Sequence, residues 1–278
     1  MNSVLFLGNS MLSSIKLAYD EIGNRIRPQC TFFCARGADL YFTKVVSGRI
    51  IPIGRADVCE EDFFRFFPEG GRSTSELYAR TKRPLADVGT QFRNTGGAEE
   101  IELAGVDAIF YVAGVSPYDF VRLEERPAPI SRSLRHELLL RMLDEKFLLR
   151  EQLMDIRVQN PNCKHYFIGS PLLAAPNPSR PRDEISIVAA NRAIIRSMAK
   201  NYLFDDVFMP DEELLDDSLM STKQEYCIGG RQESELFQKV SSSKSDNSHM
   251  NKSYGRVVLE KFAERIISIP MIALNECP

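Results

Sequence analysis

The stretch Val4-Leu5-Phe6-Leu7-Gly8-Asn9-Ser10 decides the fold prediction. Four consecutive apolar residues are typical of a strand that is covered on both faces, and residues 13–22 then follow with the spacing of an amphipathic helix. The chain therefore opens with a strand, a turn and a helix. In a parallel α/β sheet, ligands collect at the carboxyl ends of the strands. Ser10 stands at such an end, and it is either a functional residue or a cap of the helix that follows.

Strand and helix signals alternate along the rest of the chain. Apolar strand-like runs occur at 31–35, 107–113, 165–168 and 207–209, and helical spacing occurs at 131–158, 183–200 and 254–267. Alternation of this kind predicts a mostly parallel sheet of five strands with helices on both faces. The predicted fold class is therefore a three-layer α/β/α domain.

The segment from about 48 to 105 interrupts this alternation. It contains two Gly-Gly pairs, short strand-like stretches and an aromatic cluster at Phe63–Phe67, and it lacks long helical periodicity. We interpret it as an inserted cap or hairpin region within one domain spanning 1–278, because a chain with 44% hydrophobic residues can bury one substantial core. The aromatic cluster is either the core of this cap or a surface for a substrate or a partner.

The composition excludes several classes of function. A formal net charge of -3 without a basic block argues against a nucleic-acid-binding surface. The sequence also lacks an apolar segment of about 20 residues and the pattern of a signal peptide, so we expect a cytoplasmic protein without a membrane span. Neither a G-x-x-x-x-G-K-[ST] loop nor a G-x-G-x-x-G turn after the first strand is present, and no cofactor is predicted.

Cysteines and clustered carboxylates favour structural interpretations. The six cysteines are scattered without a Cys-x-x-Cys pair, which indicates buried thiols. The acidic stretch at 205–217 is typical of a solvated face or a helix start, and we predict no metal site there.

A late aspartate-histidine pair supplies what a serine nucleophile needs. A serine hydroxyl requires an imidazole to accept its proton and a carboxylate to orient that imidazole. Of the three histidines, His136, His165 and His249, only His249 follows an acid by three residues in a polar, loop-like context. His249 is therefore the preferred base and Asp246 the preferred acid, although an ordinary loop histidine and a capping aspartate would look the same.

The two ends of the chain resemble the first and last blocks of the SGNH, or GDSL-type, hydrolases. The opening strand with Gly8-Asn9-Ser10 is similar to the first block, and the last block is matched by Asp246, His249, Asn251, Tyr254 and Gly255. The resemblance implies a flavodoxin-like α/β/α fold of the SGNH type. It also implies that Ser10, Asp246 and His249 are the catalytic residues, with Asn251 in a structural role.

Two positions depart from the family pattern. Asn9 stands where many members have aspartate, and this makes the chain resemble SGNH-like proteins of bacterial polysaccharide and surface-glycan pathways. The backbone amides of Ser10 and Gly37 are candidate oxyanion donors. The family's third donor is an asparagine two residues after a glycine, and Gly114-Val115-Ser116 places Ser116 there, whose hydroxyl is shorter than an asparagine amide.

The resemblance implies a metal-independent esterase or O-acyltransferase. The expected substrate is a small-molecule or glycan acyl ester, such as an acetylated sugar or a glycan precursor. The alternative is a non-catalytic glycan-binding or pathway-scaffolding protein that retains the fold, and Ser116 is its best support. The sequence leaves open the acyl group, hydrolysis versus transfer, and the oligomeric state.

Overall fold

The computed structural model describes most of the elements that surround the opening strand. The described residues are 3–22, 29–35, 43–52, 88–112, 131, 133–134, 137, 150–169, 171, 204–208, 212–215, 222–228 and 250–263. In chain order the elements are β1 (Ser3–Gly8), α1 (Leu12–Ile22), β2 (Gln29–Cys34), β3 (Thr43–Val46), β4 (Arg49–Pro52), α2 (Val88–Gly96), β5 (Ile101–Glu102), β6 (Ala108–Val112), α3 (Arg150–Gln159), β7 (Lys164–Ile168), β8 (Asp206–Phe208) and α4 (Lys252–Phe262). Short 3-10 turns lie at Glu212–Leu214 and Gln224–Tyr226.

The central sheet has five strands in the order β2-β1-β6-β7-β8, and each neighbouring pair is parallel. Counted along the chain, this order is second, first, third, fourth, fifth, which is the order of flavodoxin-like sheets. Gly8, at the end of β1, lies opposite Cys34 on one side and Val112 on the other. The predicted α/β class and the five parallel strands are confirmed.

One face of the sheet is filled by stacked aromatic rings. Phe6 stacks on Phe32 at 4.8 Å and on Phe110 at 4.9 Å between ring centroids, and Phe262 of α4 meets Phe110 edge-on at 4.5 Å. Leu12 and Ile15 of α1, like others from that helix, belong to the same buried cluster. We call this side, covered by α1 and α4, the aromatic face.

The opposite face carries α2 and α3. Phe92 of α2 packs edge-on against Phe33 of β2 at 5.7 Å. Tyr111 also points to this side, because alternate residues of a strand face opposite ways and the preceding residue, Phe110, faces α4. His165 stacks on Tyr111 and therefore lies on the same side. We call this side the polar-containing face, and helices on both sides of the sheet give the three layers that the sequence predicts.

A second, three-stranded sheet lies beside this layer structure. Its strands β3, β4 and β5 pair in an antiparallel manner, with Ser47 and Gly48 at positive φ in the tight turn between β3 and β4. The hairpin of β3 and β4 begins at Thr43, before the predicted insertion at about 48–105, and the bounds of that insertion stay a prediction. The predicted segment contains β4 and β5. It also includes α2, which the sequence reading missed because nine residues are too few for a clear helical period. The aromatic cluster Phe63–Phe67 lies outside the described residues.

Other predicted elements are described only in part. Of the predicted helix at 131–158, the end appears as α3, whereas the helix predicted at 183–200 lies outside the described residues. Within the described ranges, no helix is both long enough and apolar enough to cross a membrane.

The described cysteines agree with the interpretation as thiols. Cys30, Cys34, Cys163 and Cys227 form no disulfide, and Cys34 and Cys163 are buried. Burial raises the pKa of the Cys30 and Cys163 thiols to about 12, which makes them poor nucleophiles at neutral pH. Cys59 and Cys277 lie outside the described residues.

Candidate active site

The end of β1 is held tightly between its two neighbouring strands. The Ala35 N–H donates to the Gly8 carbonyl at 3.0 Å, and the Asn9 N–H donates to the Val112 carbonyl at 3.3 Å. Gly8 is required here, because a Cβ at this position would lie 2.8 Å from the Val112 Cβ. The turn that carries Ser10 therefore starts from a fixed point at the carboxyl edge of the sheet.

The turn uses some of the polar groups around Ser10 and leaves others unbonded among the described residues. Asn9 Oδ1 accepts a hydrogen bond from the Met11 N–H at 3.1 Å. The Ser10 carbonyl accepts from the Ser13 N–H at 3.2 Å and from the Ser13 hydroxyl at 2.7 Å. The N–H and hydroxyl of Ser10, by contrast, bond to none of the residues that the structure describes, and Ser10 is only partly buried.

This geometry argues against the interpretation of Ser10 as a side-chain cap. A capping serine would accept a bond from a backbone N–H in the first turn of the helix. In this turn Asn9 is the side-chain acceptor, and the Ser10 hydroxyl stays available among the described residues. Among the described residues Ser10 therefore does not cap α1 through its side chain, and its role as a nucleophile stays a prediction.

The two other predicted oxyanion positions lie outside the described residues, but the strands that lead to them are present. Ala35, two residues before Gly37, bonds to Gly8, and Val112, four residues before Ser116, lies opposite Gly8. Strands β2 and β6 therefore both end at the edge of the sheet where Ser10 lies. The roles of Gly37 and Ser116 stay predictions.

The start of α4 is fixed by Asn251. Its Oδ1 accepts from the Ser253 N–H at 3.1 Å and the Tyr254 N–H at 3.3 Å, which caps the helix. Its Nδ2 donates to the carbonyls of Glu225 at 2.6 Å and Ile228 at 3.0 Å, and its own N–H donates to the Tyr226 carbonyl. Asn251 thus ties the helix start to the 3-10 turn at Gln224–Tyr226, and its role is structural.

Gly255 brings α4 against α1. A Cβ at this position would overlap the Ser14 carbonyl and lie 2.7 Å from the Ile15 nitrogen, so only glycine allows the approach. Gly255 follows His249 by six residues, and Ser14 follows Ser10 by four residues. The helices that border the two predicted halves of the site are therefore in direct contact near their first turns. Asp246 and His249 themselves lie outside the described residues, and the triad stays a prediction.

His165 is excluded as the base for Ser10. The His165 side chain is fully buried. Ile168 lies level with the end of β1, and His165 comes three residues before it in β7. At about 3.3 Å per residue, it lies roughly 10 Å from the carboxyl edge of the sheet. Burial, and next the positive charge of Arg157, lower its pKa to about 4, against the opposing effect of Asp205. Of the three histidines, His136 and His249 remain, and both lie outside the described residues.

The surroundings of His165 are a feature that the sequence reading missed. Neither ring nitrogen of His165 has a hydrogen-bond partner in the described part of the chain, and the hydroxyl of Tyr111 has none there either. The rings of Tyr111 and His165 stack with their centroids 6.2 Å apart. Burial raises the pKa of Tyr111 well above its ordinary value. The sequence did carry a signal for the burial of His165. It stands two residues before Phe167 in the same strand, and residues two apart in a strand lie on the same face.

Asp205, in the acidic stretch at 205–217, is exposed, and it also makes specific contacts with the sheet and with α3. Its Oδ2 accepts from the His165 backbone N–H at 2.7 Å and from the Arg157 guanidinium at 3.1 Å, and Lys164 lies 3.6 Å from Oδ1. Asp205 therefore anchors the approach to β8 against β7 and α3. The partner Arg157 is 48 residues away in sequence, so local pattern carries no signal of this contact.

Comparisons with known proteins give matches in structure only. No protein-family model matches the chain, and no match is found among curated proteins. Among solved structures, the periplasmic domain of a lipopolysaccharide acetyltransferase from Salmonella ser. Paratyphi A is 10% identical, with 96% of this chain and 84% of that chain covered and a TM-score of 0.43. A structure described as a putative platelet activating factor from Streptococcus pneumonia is 12% identical, with 95% and 83% covered and a TM-score of 0.44. An extracellular lipase from Streptomyces rimosus is 12% identical, with 94% and 99% covered and a TM-score of 0.41.

These three matches are described as an acetyltransferase domain, a putative platelet activating factor and a lipase. The strand order of the central sheet agrees with the flavodoxin-like α/β/α fold that the sequence resemblance predicts.

Proposed function

We propose that the protein is a serine esterase or O-acyltransferase that acts on an acyl ester through an acyl-Ser10 intermediate. The observation that carries this proposal is the state of Ser10 at the carboxyl edge of the sheet. Its hydroxyl and its N–H bond to none of the described residues, while the residues on both sides are held by hydrogen bonds. A nucleophile and an adjacent oxyanion donor need this combination of freedom and fixed position.

In the proposed reaction, the Ser10 Oγ attacks the ester carbonyl carbon while His249 takes the hydroxyl proton. The carbonyl oxygen becomes an oxyanion that accepts hydrogen bonds from the N–H groups of Ser10 and Gly37 and from Ser116. Collapse of this intermediate breaks the bond to the alkoxy oxygen, and His249 gives its proton to the leaving alcohol. Asp246 orients His249 throughout.

The second half of the reaction repeats these steps with a different nucleophile. Water or an acceptor hydroxyl attacks the acyl-Ser10 carbonyl, and His249 accepts its proton. Release of Ser10 breaks the acyl-oxygen bond, and the proton returns from His249 to the Ser10 hydroxyl. Water gives a carboxylic acid, whereas a hydroxyl gives a new ester. The proposed substrate class, an acylated sugar or glycan precursor, comes from the sequence resemblance around Asn9.

Covalent labelling tests the proposed nucleophile. Wild-type protein treated with a fluorophosphonate should gain one adduct, and peptide mass spectrometry should map it to Ser10. Ser10→Ala should gain none, whereas Ser253→Ala, which removes an exposed hydroxyl from α4, should label like the wild type. A folded wild type that stays unlabelled would contradict the enzyme and favour the non-catalytic glycan-binding alternative.

Turnover of acetylated sugars then separates hydrolysis from transfer. We expect Ser10→Ala and His249→Ala each to abolish release of acetate or of acyl product, and the double variant to be little worse, because triad residues act as a unit. Product analysis with and without an added sugar acceptor distinguishes acetate from a new ester. Turnover that survives in Ser10→Ala would move the nucleophile elsewhere.

A further inference from the structure

The side chain of Asn9 occupies a defined place in the turn that presents Ser10. Its Oδ1 accepts from the Met11 N–H at 3.1 Å, which closes a small ring around Ser10. A side-chain oxygen that bonds the backbone two residues later forms an Asx turn, which fixes the backbone of the residue between them. The residue between them is Ser10.

The backbone of Asn9 is anchored as well. Its N–H donates to the Val112 carbonyl at 3.3 Å, and its carbonyl accepts from the Leu12 N–H at 2.9 Å. Asn9 therefore links three parts of the molecule: strand β6, the first turn of α1, and the Met11 amide. Because these hydrogen bonds hold the turn to β6 and to α1, movement of Ser10 relative to the sheet is restricted.

We propose that Asn9 is a positioning residue that holds the Ser10 hydroxyl and N–H in their reactive arrangement through its bond to the Met11 N–H. This inference rests on the proposed function. The bond uses the Met11 amide and leaves the Ser10 amide unbonded within the described residues, so the oxyanion donor stays available. Without the Asn9 oxygen, the Ser10 backbone gains freedom, and the attack geometry is formed in only part of the molecules.

The test compares Asn9→Ala with the conservative Asn9→Asp. Aspartate keeps an oxygen acceptor for the Met11 N–H, whereas alanine removes it. We expect Asn9→Ala to lower kcat for a p-nitrophenyl ester and the fluorophosphonate labelling rate by about 10- to 100-fold, with KM changed by less than about threefold. Asn9→Asp should stay within about threefold of the wild type in both rates.

Asn160→Ala is the matched control. Asn160 also uses its side chain to hold backbone groups, since its Nδ2 donates to the Leu103 and Val106 carbonyls at 3.0 and 3.1 Å. It lies just before β7, at the edge of the sheet opposite Ser10. Asn160→Ala should lower the stability of the protein but leave kcat and the labelling rate near the wild-type values.

Hydrogen exchange of the Met11 amide gives a readout that does not depend on activity. Exchange should be at least about tenfold faster in Asn9→Ala and close to wild type in Asn9→Asp, because only alanine removes the acceptor. Unchanged kcat and labelling in Asn9→Ala, or equal losses in Asn160→Ala, would overturn the positioning role while the enzyme proposal stands. A wild type without an adduct at Ser10 would overturn the enzyme proposal and this role together.

Discussion

The aromatic face and the polar-containing face of the central sheet are both buried, but they differ in the side chains that fill them. On the aromatic face, Phe6, Phe110 and Phe262 fill the space with rings, and α1 and α4 approach closely through Gly255. On the polar-containing face, His165 and Tyr111 carry buried polar atoms that have no hydrogen-bond partner in the described ranges. The aromatic face holds the helices that border Ser10 and His249, so the proposed site rests on the aromatic part of the core. The polar-containing face is where protonation can act on stability.

The largest expected effect is on the aromatic face. Phe110→Ala removes a ring that meets four others, Phe6, Tyr166, Phe208 and Phe262, at centroid distances of 4.9, 4.7, 6.1 and 4.5 Å. We expect the free energy of unfolding to fall by about 3 to 5 kcal/mol in urea denaturation. Val158→Ala, at a side chain that is 79% exposed, should change it by less than about 0.5 kcal/mol. A small loss in Phe110→Ala would mean that the aromatic face does not dominate the stability.

A pH titration of stability sharpens the contrast between the faces. The pKa of His165 is about 4 in the folded protein and near its ordinary value of 6.5 in the unfolded chain. As the pH falls from 6.5 to 4, the unfolded state takes up a proton that the folded state does not, so stability decreases and then levels off below pH 4. The two pKa values correspond to a loss of about 3 kcal/mol from this group.

His165→Leu is the matched variant for this titration. Leucine fills a similar volume and does not titrate, so the loss between pH 6.5 and 4 should be smaller in the variant by about 3 kcal/mol. Comparison of the two proteins cancels the contribution of carboxylates that titrate in the same range. Parallel curves for the two proteins would show that His165 is not the buried neutral group described here.

Gly255→Ala tests the contact between α1 and α4. An added methyl group has no space against the Ser14 carbonyl, so the helices must separate. We expect a loss of about 2 to 3 kcal/mol, although alanine favours a helix over glycine by about 1 kcal/mol. Fluorophosphonate labelling of Ser10 should also slow, because α4 follows the loop that carries His249. Ser253→Ala on the exposed side of the same helix serves as the control, and a gain in stability for Gly255→Ala would refute the close approach.

Asn251→Ala should give the smallest effect of the four. It removes the cap of α4 and the donors to two carbonyls, but Glu225 and Ile228 are exposed, so water can replace those donors. We expect a loss of about 1 to 2 kcal/mol. Asn251→Asp keeps the capping oxygen and should lose less than the alanine variant. Equal losses in the two variants would assign the stabilisation to the amide donors instead of the cap.

The sequence by itself predicted the five strands of the central sheet, because a strand buried on both faces is a continuous apolar run that can be recognised locally. Val4 to Leu7 lies within the observed strand Ser3–Gly8, and 165–168 lies within Lys164–Ile168. It also predicted that Ser10 stands at the carboxyl edge of the sheet, since a strand-turn-helix unit fixes that position. The spacing of the late aspartate-histidine pair indicated His249 and Asp246, and the family resemblance pointed to the same residues, whose roles stay predictions.

Only the tertiary structure decided which groups are held and which are left available. The Asn9 side chain accepts a hydrogen bond from the Met11 N–H, and the N–H and hydroxyl of Ser10 stay unbonded among the described residues. The sequence cannot show this, because a capping serine and a nucleophilic serine follow a strand in the same way. Asp205 accepts a hydrogen bond from Arg157, which is 48 residues away in sequence. Gly255 allows close contact with the backbone of Ser14, which lies near the other end of the chain. Local patterns report the burial of a segment, whereas hydrogen bonds and close contacts depend on residues that are distant in sequence and meet only after folding.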